Sequence, residues 1–449
     1  MGKIFGTDGA RGIANKELTC ELAMNIGRAA ALVLIDSNHR HPRILIGKDT
    51  RISSDMLECA LKAGICSVGA NAVAIGVVPT PAVAYLVKKY NADAGIMISA
   101  SHNSYEFNGI KIFSRDGYKL PDSLEEKIEN IILNNMQGVE YKTNDEIGRV
   151  SIEPNAVKDY IEHIKSTIEG DLKGIKVAFD CSNGSASSTA RKLFEELGVE
   201  STILNDNPNG LNINDGCGST KLDYLSKYVK ENNVDIGIAF DGDADRCLAI
   251  DENGEEVDGD YIMAICSKGM KDKKVLSKNT VVGTIMTNMG FSDFCDKGGI
   301  KFEASKVGDR YVLEKMLKEG YNFGGEQSGH VIFKDFSTTG DGQLTAVQLI
   351  KSLLNSKVKL CEAKKIMEKY PQVIKNVKVD KEKKSIWKDD EEISNLISKS
   401  EKEIDGIGRI IVRESGTEPL IRVMVECKDK EKMNKIVNSI AEKIFEKIG

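Results

Sequence analysis

The sequence predicts an α/β protein built from several successive domains, and three observations carry that prediction. The chain has 449 residues, which at about 150 residues per domain suggests roughly three domains. Short apolar runs alternate with helical patterns along most of its length, as α/β units with mainly parallel sheets require. Beyond about residue 370 the charge density rises and the pattern becomes a pair of strands and a closing helix. This reads as a small α+β domain that follows three α/β units.

The elements follow in order. Ile44-Leu45-Ile46, Ala72-Val73-Ala74-Ile75, Ile96-Met97-Ile98, Lys176-Val177-Ala178-Phe179, Ile236-Gly237-Ile238-Ala239-Phe240 and Val281-Val282-Gly283-Thr284-Ile285 are apolar without strict alternation, which suits strands buried on both faces. After Pro121-Asp122-Ser123 a helix carries Leu124, Ile128, Ile131 and Ile132 on one face. Ser123 or Asp122 is placed to cap it, and Glu125 and Glu126 suit its first turn. Lys381-Glu382-Lys383-Lys384 and Lys388-Asp389-Asp390-Glu391-Glu392 read as solvated surface. Arg409-Ile410-Ile411-Val412 and Leu420 to Val425 follow as strands, and Met433, Ile436, Val437, Ile440 and Ile444 mark one face of the last helix. No internal sequence repeat is visible.

Composition narrows the function. Hydrophobic residues make up 41% and charged residues 29%, an ordinary globular balance that excludes disordered, collagen-like and disulfide-dense chains. With 62 Lys+Arg against 68 Asp+Glu the formal charge is −6, which disfavours a non-specific nucleic-acid binder. An anionic ligand then requires a locally basic pocket. No apolar run is long enough to cross a bilayer, and Met1-Gly2-Lys3-Ile4-Phe5-Gly6 lacks a signal peptide's apolar core. The 10 cysteines are scattered without CxxC spacing and read as buried, reduced thiols in the cytoplasm. Cys217 and Cys247 flank polar loops and read as small packing residues.

Four loops carry chemistry. In Asp241-Gly242-Asp243-Ala244-Asp245-Arg246, carboxylates stand at alternate positions after an apolar strand. They repel one another unless a cation neutralises them, and an oxygen-only set suits Mg²⁺ or Ca²⁺. An EF-hand fits at some positions, but Arg246 stands where its turn wants glycine, and the flanks, including Leu248-Ala249-Ile250-Asp251, read as strands. An exposed acidic turn is disfavoured because apolar strands bracket the loop.

The second loop, Ser99-Ala100-Ser101-His102-Asn103, follows Ile96–Ile98 and puts Ser101 at a strand's C-terminal end, where α/β folds place ligands. Ser101 is a candidate nucleophile without a G-x-S-x-G elbow. His102, adjacent in sequence, is poorly placed as its base. Taken alone this segment reads better as a polar turn. Lys111 enters an apolar run nearby. Burial there would depress its pKa and fit it for proton transfer, although a surface lysine is the simpler local reading.

The third loop, Gly324-Gly325-Glu326-Gln327-Ser328-Gly329-His330, precedes Val331-Ile332-Phe333. Glu326 and Ser328 suit sugar-type hydroxyls, and His330 titrates in a useful range. A plain tight turn fits the segment equally. In the fourth loop, Arg413-Glu414-Ser415-Gly416-Thr417-Glu418-Pro419, hydroxyl and backbone donors lie between Arg413 and Arg422, which suits a phosphate dianion. A similar mixture with Arg11 opens the chain. Together, a cation loop, a serine, a hydroxyl reader and a phosphate clip fit phosphoryl transfer on a polyhydroxylated phosphate in a cleft between domains.

These motifs, in this order from Gly6-Thr7-Asp8-Gly9-Ala10-Arg11-Gly12 to the fourth loop, resemble the α-D-phosphohexomutase superfamily over essentially the whole chain. Asn207-Pro208-Asn209-Gly210-Leu211-Asn212-Ile213-Asn214 with Cys217-Gly218-Ser219-Thr220, together with Gln327 and Gly416, is similar to its branch of bacterial phosphoglucosamine mutases. The resemblance implies three similar α/β domains with mixed sheets plus a small C-terminal α+β domain around a central active-site cleft. It divides the chain at 1–150, 151–255, 256–370 and 371–449.

It implies interconversion of glucosamine 6-phosphate and glucosamine 1-phosphate, toward UDP-N-acetylglucosamine, through a hexosamine 1,6-bisphosphate. Ser101 would be phosphorylated by a kinase or by autophosphorylation and would share one Mg²⁺ with Asp241, Asp243 and Asp245. Lys111 and His330 would move protons, with Arg11 near the transferring phosphoryl group. Glu326 and Ser328 would hold hydroxyls, and Arg413, Ser415, Gly416, Thr417 and Arg422 the other phosphate. The partners implied are a phosphosugar, with neither nucleic acid nor membrane, in a monomer or homodimer. A phosphomannomutase/phosphoglucomutase is the same-class alternative, and a non-catalytic Ca²⁺-binding protein the different-class one. The chain departs from the family pattern at Ser104, which removes a fixed φ and is expected to loosen the serine loop, and at Phe107.

Overall fold

The computed structural model describes residues 4–6, 8–34, 42–380, 385–414 and 419–449, so the Lys381 to Lys384 run lies outside the described residues. The chain divides into a larger unit, residues 1–287 with 298–366, and a smaller one, residues 288–297 with 367–449.

The larger unit holds three sheets. In the first, Ala94–Ile98 runs parallel to Arg43–Lys48, which pairs parallel with Asn71–Val77. On its other side it pairs antiparallel with Phe107–Ser114. In the second, Ile236–Phe240 is parallel to Lys176–Asp180 and antiparallel to Cys247–Asp251. In the third, Phe323–Gly325 is parallel to Thr280–Thr284 and antiparallel to Val331–Phe333. Ala94–Ile98 and Ile236–Phe240 are buried along their whole length, which accounts for their unbroken apolar character.

The sheets are therefore mixed, and the expectation of mainly parallel sheets from strand–helix alternation is corrected. Residues 99–106, 241–246 and 326–330 join antiparallel strands, and each connection is too short for the dozen or more residues of a parallel crossover. In each sheet the polar loop singled out from sequence is this hairpin connection, so the three sheets repeat one device.

The helix Asp122–Leu133 buries Ile128 and Ile132 and packs Leu124 and Ile131 on the same core. Neither Asp122 nor Ser123 caps it. Pro121 holds the cap position without a side-chain bond, and the Asp122 carboxylate instead pairs with Arg310.

The helix Gly342–Ser356 is capped by Asp341, which accepts from the Leu344 N–H at 3.0 Å. The Tyr160 hydroxyl lies 2.9 Å from both Asp341 oxygens. Burial pushes the Asp341 carboxyl up to about 7. A raised folded-state pKa means that this group's stability contribution is complete below the unfolded carboxylate range and is lost as pH rises through 7. Asp341→Asn keeps a capping acceptor. It is expected to raise Tm by about 2 °C or more at pH 8, with a smaller gain at pH 5, as measured by thermal unfolding at the two pH values.

The smaller unit is a three-stranded antiparallel sheet ordered Gln372–Lys378, Leu420–Cys427, Gly408–Glu414. Met433, Ile436, Val437, Ile440 and Ile444 of the helix Lys430–Ile448 are buried in its core. In the second charge run Lys388, Asp389, Glu391 and Glu392 are exposed, while Asp390 caps the helix Glu391–Glu403 through the Ile393 N–H. All the cysteines are free thiols. Cys217 and Cys247 are buried as expected, whereas Cys59 is exposed. Among the described residues no helix is long and apolar enough to cross a membrane.

Candidate active site

The aspartate loop leaves the end of Ile236–Phe240 and returns as Cys247–Asp251. Strands on both sides exclude the helix–loop–helix of an EF-hand. Asp241, Asp243 and Asp245 are buried, and each offers a carboxylate oxygen within 4.8 Å of the others. Among the described residues, Asp243 Oδ1 and Asp245 Oδ1 are buried without a hydrogen-bond partner. Burial, with Asp245 and Asp243 beside it, pushes the Asp241 carboxyl well above the usual range. Orphaned buried oxygens and crowded carboxylates are unfavourable until a cation joins them. The all-oxygen donor set therefore fits Mg²⁺ or Ca²⁺.

Ser101 sits in the hairpin after Ala94–Ile98 with φ of 54°, a left-handed conformation rare for a residue with a Cβ. Its Oγ donates to Asp241 Oδ2 at 2.6 Å, and its N–H donates to Ser99 Oγ at 3.0 Å. His102 Nδ1 is 3.3 Å from Ser101 Oγ, and burial lowers the imidazole to about 4. Thr80 opens a helix after the strand Asn71–Val77 and donates from Oγ1 to Asp243 Oδ2 at 2.6 Å.

Lys111, fully buried in Phe107–Ser114, donates to Asp243 Oδ2 at 2.8 Å and lies 3.2 Å from Asp8 Oδ2 and 3.7 Å from Asp245 Oδ2. Burial acts to lower its pKa, but Asp243, Asp8 and Asp245 outweigh it and hold the ammonium above the usual lysine range. The expectation of a depressed lysine is thus reversed. In this carboxylate nest Lys111 is held as a charged ammonium.

His330 ends the third hairpin. Its Nδ1 is 3.5 Å from Asp245 Oδ2 and its Nε2 is 3.6 Å from Asp309 Oδ2. The Gly340 N–H donates to Nε2 at 3.0 Å. A Cβ on Gly340 would lie 2.5 Å from the ring, so only glycine lets the imidazole lie against the backbone there. Glu326 accepts from the Gly308 N–H at 3.1 Å, Ser328 is exposed, and Arg11 pairs with Asp8. A cavity of about 150 Å³ opens beside His330, lined also by Lys119, Asp309 and Thr339.

Thr80, Lys119 and Asp309 escape a reading by motif, and Asp8 stands in one without a role of its own. Lys119 Nζ bridges Asp8 Oδ1 at 2.7 Å and Asp309 Oδ2 at 2.5 Å. Thr80 had a signal, its position beyond a strand's C-terminal end, and Asp8 lies inside the opening motif. Lys119 and Asp309 resemble surface charges until the fold brings them together.

In the smaller unit Arg413 and Arg422 stand directly opposite across an antiparallel pair. Burial and the like charge of Arg422 lower the Arg413 guanidinium from its usual range, and an anion would relieve both. Ser415, Gly416 and Thr417 lie outside the described residues.

A serine hydrogen-bonded to a neighbouring acidic loop that fits a divalent cation, with a buried ammonium and a histidine hairpin against the same loop, is an arrangement suited to phosphoryl transfer. The chain belongs to the phosphoglucomutase/phosphomannomutase family. The family's α/β/α domain I matches residues 2–138, domain II 158–254, domain III 258–370 and the C-terminal domain 374–443. The phosphoglucosamine mutase of Clostridium acetobutylicum is 56% identical over 447 residues, spanning 100% of both chains. The fold is shared with a phosphoglucomutase/phosphomannomutase family protein of Burkholderia thailandensis, at TM-score 0.80 and 22% identity over 98% of this chain and 96% of that one. It is shared too with the Aspergillus fumigatus N-acetylphosphoglucosamine mutase, solved with GlcNAc-6P and magnesium, at TM-score 0.63 and 17% identity over 82% and 92%.

Proposed function

We infer that the protein catalyses the phosphoglucosamine mutase reaction, interconverting glucosamine 6-phosphate and glucosamine 1-phosphate in the cytoplasm, on the route to UDP-N-acetylglucosamine. The observation that carries the chemistry is Ser101 Oγ held 2.6 Å from Asp241 inside the acidic triad. The choice of sugar rests on the 56% identical relative.

Asp241, Asp243 and Asp245 hold Mg²⁺, which when bound neutralises charge on the phosphoryl oxygens. Ser101 carries the phosphoryl group and gives it to the free hydroxyl of the bound sugar phosphate, forming glucosamine 1,6-bisphosphate. The bisphosphate turns over and returns its other phosphoryl group to Ser101. Lys111 protonates Ser101 Oγ as the phosphoryl group leaves. His330 takes the proton of the attacking sugar hydroxyl. Arg11 offsets charge on the group in flight, and Glu326 and Ser328 bind hydroxyls in either orientation of the sugar. Arg413 and Arg422, with Ser415, Gly416 and Thr417, bind the phosphate that is not transferred. The segments 1–150, 151–255, 256–370 and 371–449 act as four domains supplying, in turn, the serine, cation, sugar and phosphate loops.

Side-by-side assays of glucosamine 6-phosphate, glucose 6-phosphate and mannose 6-phosphate test the reading. The expected kcat/KM favours glucosamine 6-phosphate by about tenfold or more, a difference of about 1.4 kcal/mol in transition-state binding. Equal or better turnover of the other two would instead assign the chain to the phosphomannomutase/phosphoglucomutase activity.

A further inference from the structure

The segment from Asn207 to Ser219 has no part in the chemistry above, yet it is built against both reacting loops. Asn214 Nδ2 donates to Ser101 O and to Asn103 O, each at 3.0 Å. The Asn214 backbone N–H donates to Ser182 O at 2.9 Å, and the Ser219 N–H donates at 2.9 Å to Phe240 O, the residue before Asp241. Arg51, fully buried, reaches the same carbonyls: its Nη2 donates to Ser101 O at 2.9 Å and to Asn103 O at 2.8 Å. Its Nη1 bonds Ser104 O, and its Nε is fixed on Asp49 at 2.9 Å. The metal loop closes the arrangement. A Cβ on Gly242 would lie 2.5 Å from Ser101 O and 2.9 Å from Asn214 Nδ2.

Ser101 holds a left-handed φ of 54°, a conformation that persists only where its surroundings over-determine it. A donor amide from one segment and a buried guanidinium from another both end on its carbonyl oxygen. With that carbonyl pinned, the side chain is aimed at Asp241.

We propose that Asn214 is a positioning residue for phosphoryl transfer: it holds the Ser101 carbonyl from the 207–219 segment, so that Ser101 Oγ stays in register with the aspartate loop that the same segment braces at Phe240. The Asn214 amide nitrogen donates to the two loop carbonyls of Ser101 and Asn103. Its effect falls on the transfer step and not on sugar binding. The proposal rests on the reading of Ser101 as phosphate carrier.

Asn214→Asp tests it, because the shape is kept while the two-pronged donor becomes an oxygen facing two carbonyls. The expected result is a fall in kcat of about 10²-fold, the cost of a small misplacement of reacting groups. KM for the sugar phosphate should stay within about twofold, since the sugar-reading groups are untouched. Phosphorylation of Ser101 by hexose 1,6-bisphosphate, followed by intact mass, should slow by a similar factor. Asn214→Ala should show the same split, more mildly, and serves if the aspartate variant does not fold. An unchanged kcat, or a KM that rises in step with the loss of kcat, overturns the proposal. Wild-type protein that takes no phosphate on Ser101 would instead sink the underlying reading.

Discussion

Ser101→Ala is expected to lower mutase turnover by about 10⁴-fold or more, because the variant lacks the atom proposed to carry the phosphoryl group between the two ends of the sugar. Incubation with a hexose 1,6-bisphosphate should add one phosphate to the wild-type mass and none to the variant. The fold should survive. Alanine meets the same left-handed penalty as serine at this φ, and the carbonyl contacts from Arg51 and Asn214 do not depend on the hydroxyl. A variant with unchanged Tm and substantial turnover would place the phosphoryl carrier elsewhere.

Asp243→Asn is expected to cost about 10²–10⁴-fold in kcat, several kcal/mol of transition-state stabilisation. Asp243 Oδ2 accepts from Lys111 Nζ at 2.8 Å and from Thr80 Oγ1 at 2.6 Å, while Oδ1 is buried without a partner among the described residues. The amide removes one of the triad's charges and weakens the nest that keeps Lys111 protonated. The backbone bond from the Thr80 N–H to Asp243 O at 2.9 Å remains, so Tm should move little. Turnover titrated against Mg²⁺, with a thermal melt as control, checks this. Normal Mg²⁺-dependent turnover would contradict the cation role of the loop.

Much of this was legible in the sequence, and the reasons are physical. Ala94–Ile98 and Ile236–Phe240 stood out because burial on both faces leaves no polar position within them. The loops stood out because polar side chains crowd where those strands end. The antiparallel return of the serine loop was hidden, since an apolar run does not by itself distinguish parallel from antiparallel neighbours. The state of Lys111 was hidden because Asp8, Asp243 and Asp245 reach it from distant parts of the chain. Asp122 read as a helix cap because its partner Arg310 lies far along the sequence. Ser104 was expected to loosen the serine loop, yet its carbonyl, with those of Ser101 and Asn103, is held by Arg51. The restraint there comes from hydrogen bonds in place of a fixed φ. The acidic whole-chain balance concealed the charge that matters: Arg413 and Arg422 sit side by side in one strand pair, while the buried acidic triad fits a divalent cation.

If Ser101 passes its phosphoryl group to glucosamine 6-phosphate and receives one back, the transfer is visible within one turnover. The most direct measurement is a single-turnover transfer, in which protein carrying radiolabelled phosphate on Ser101 is mixed with glucosamine 6-phosphate and Mg²⁺ and quenched at intervals. Label is expected to leave the protein, appear first in glucosamine 1,6-bisphosphate and then spread into both monophosphates. Label that stays on the protein, or leaves only as inorganic phosphate, would contradict it.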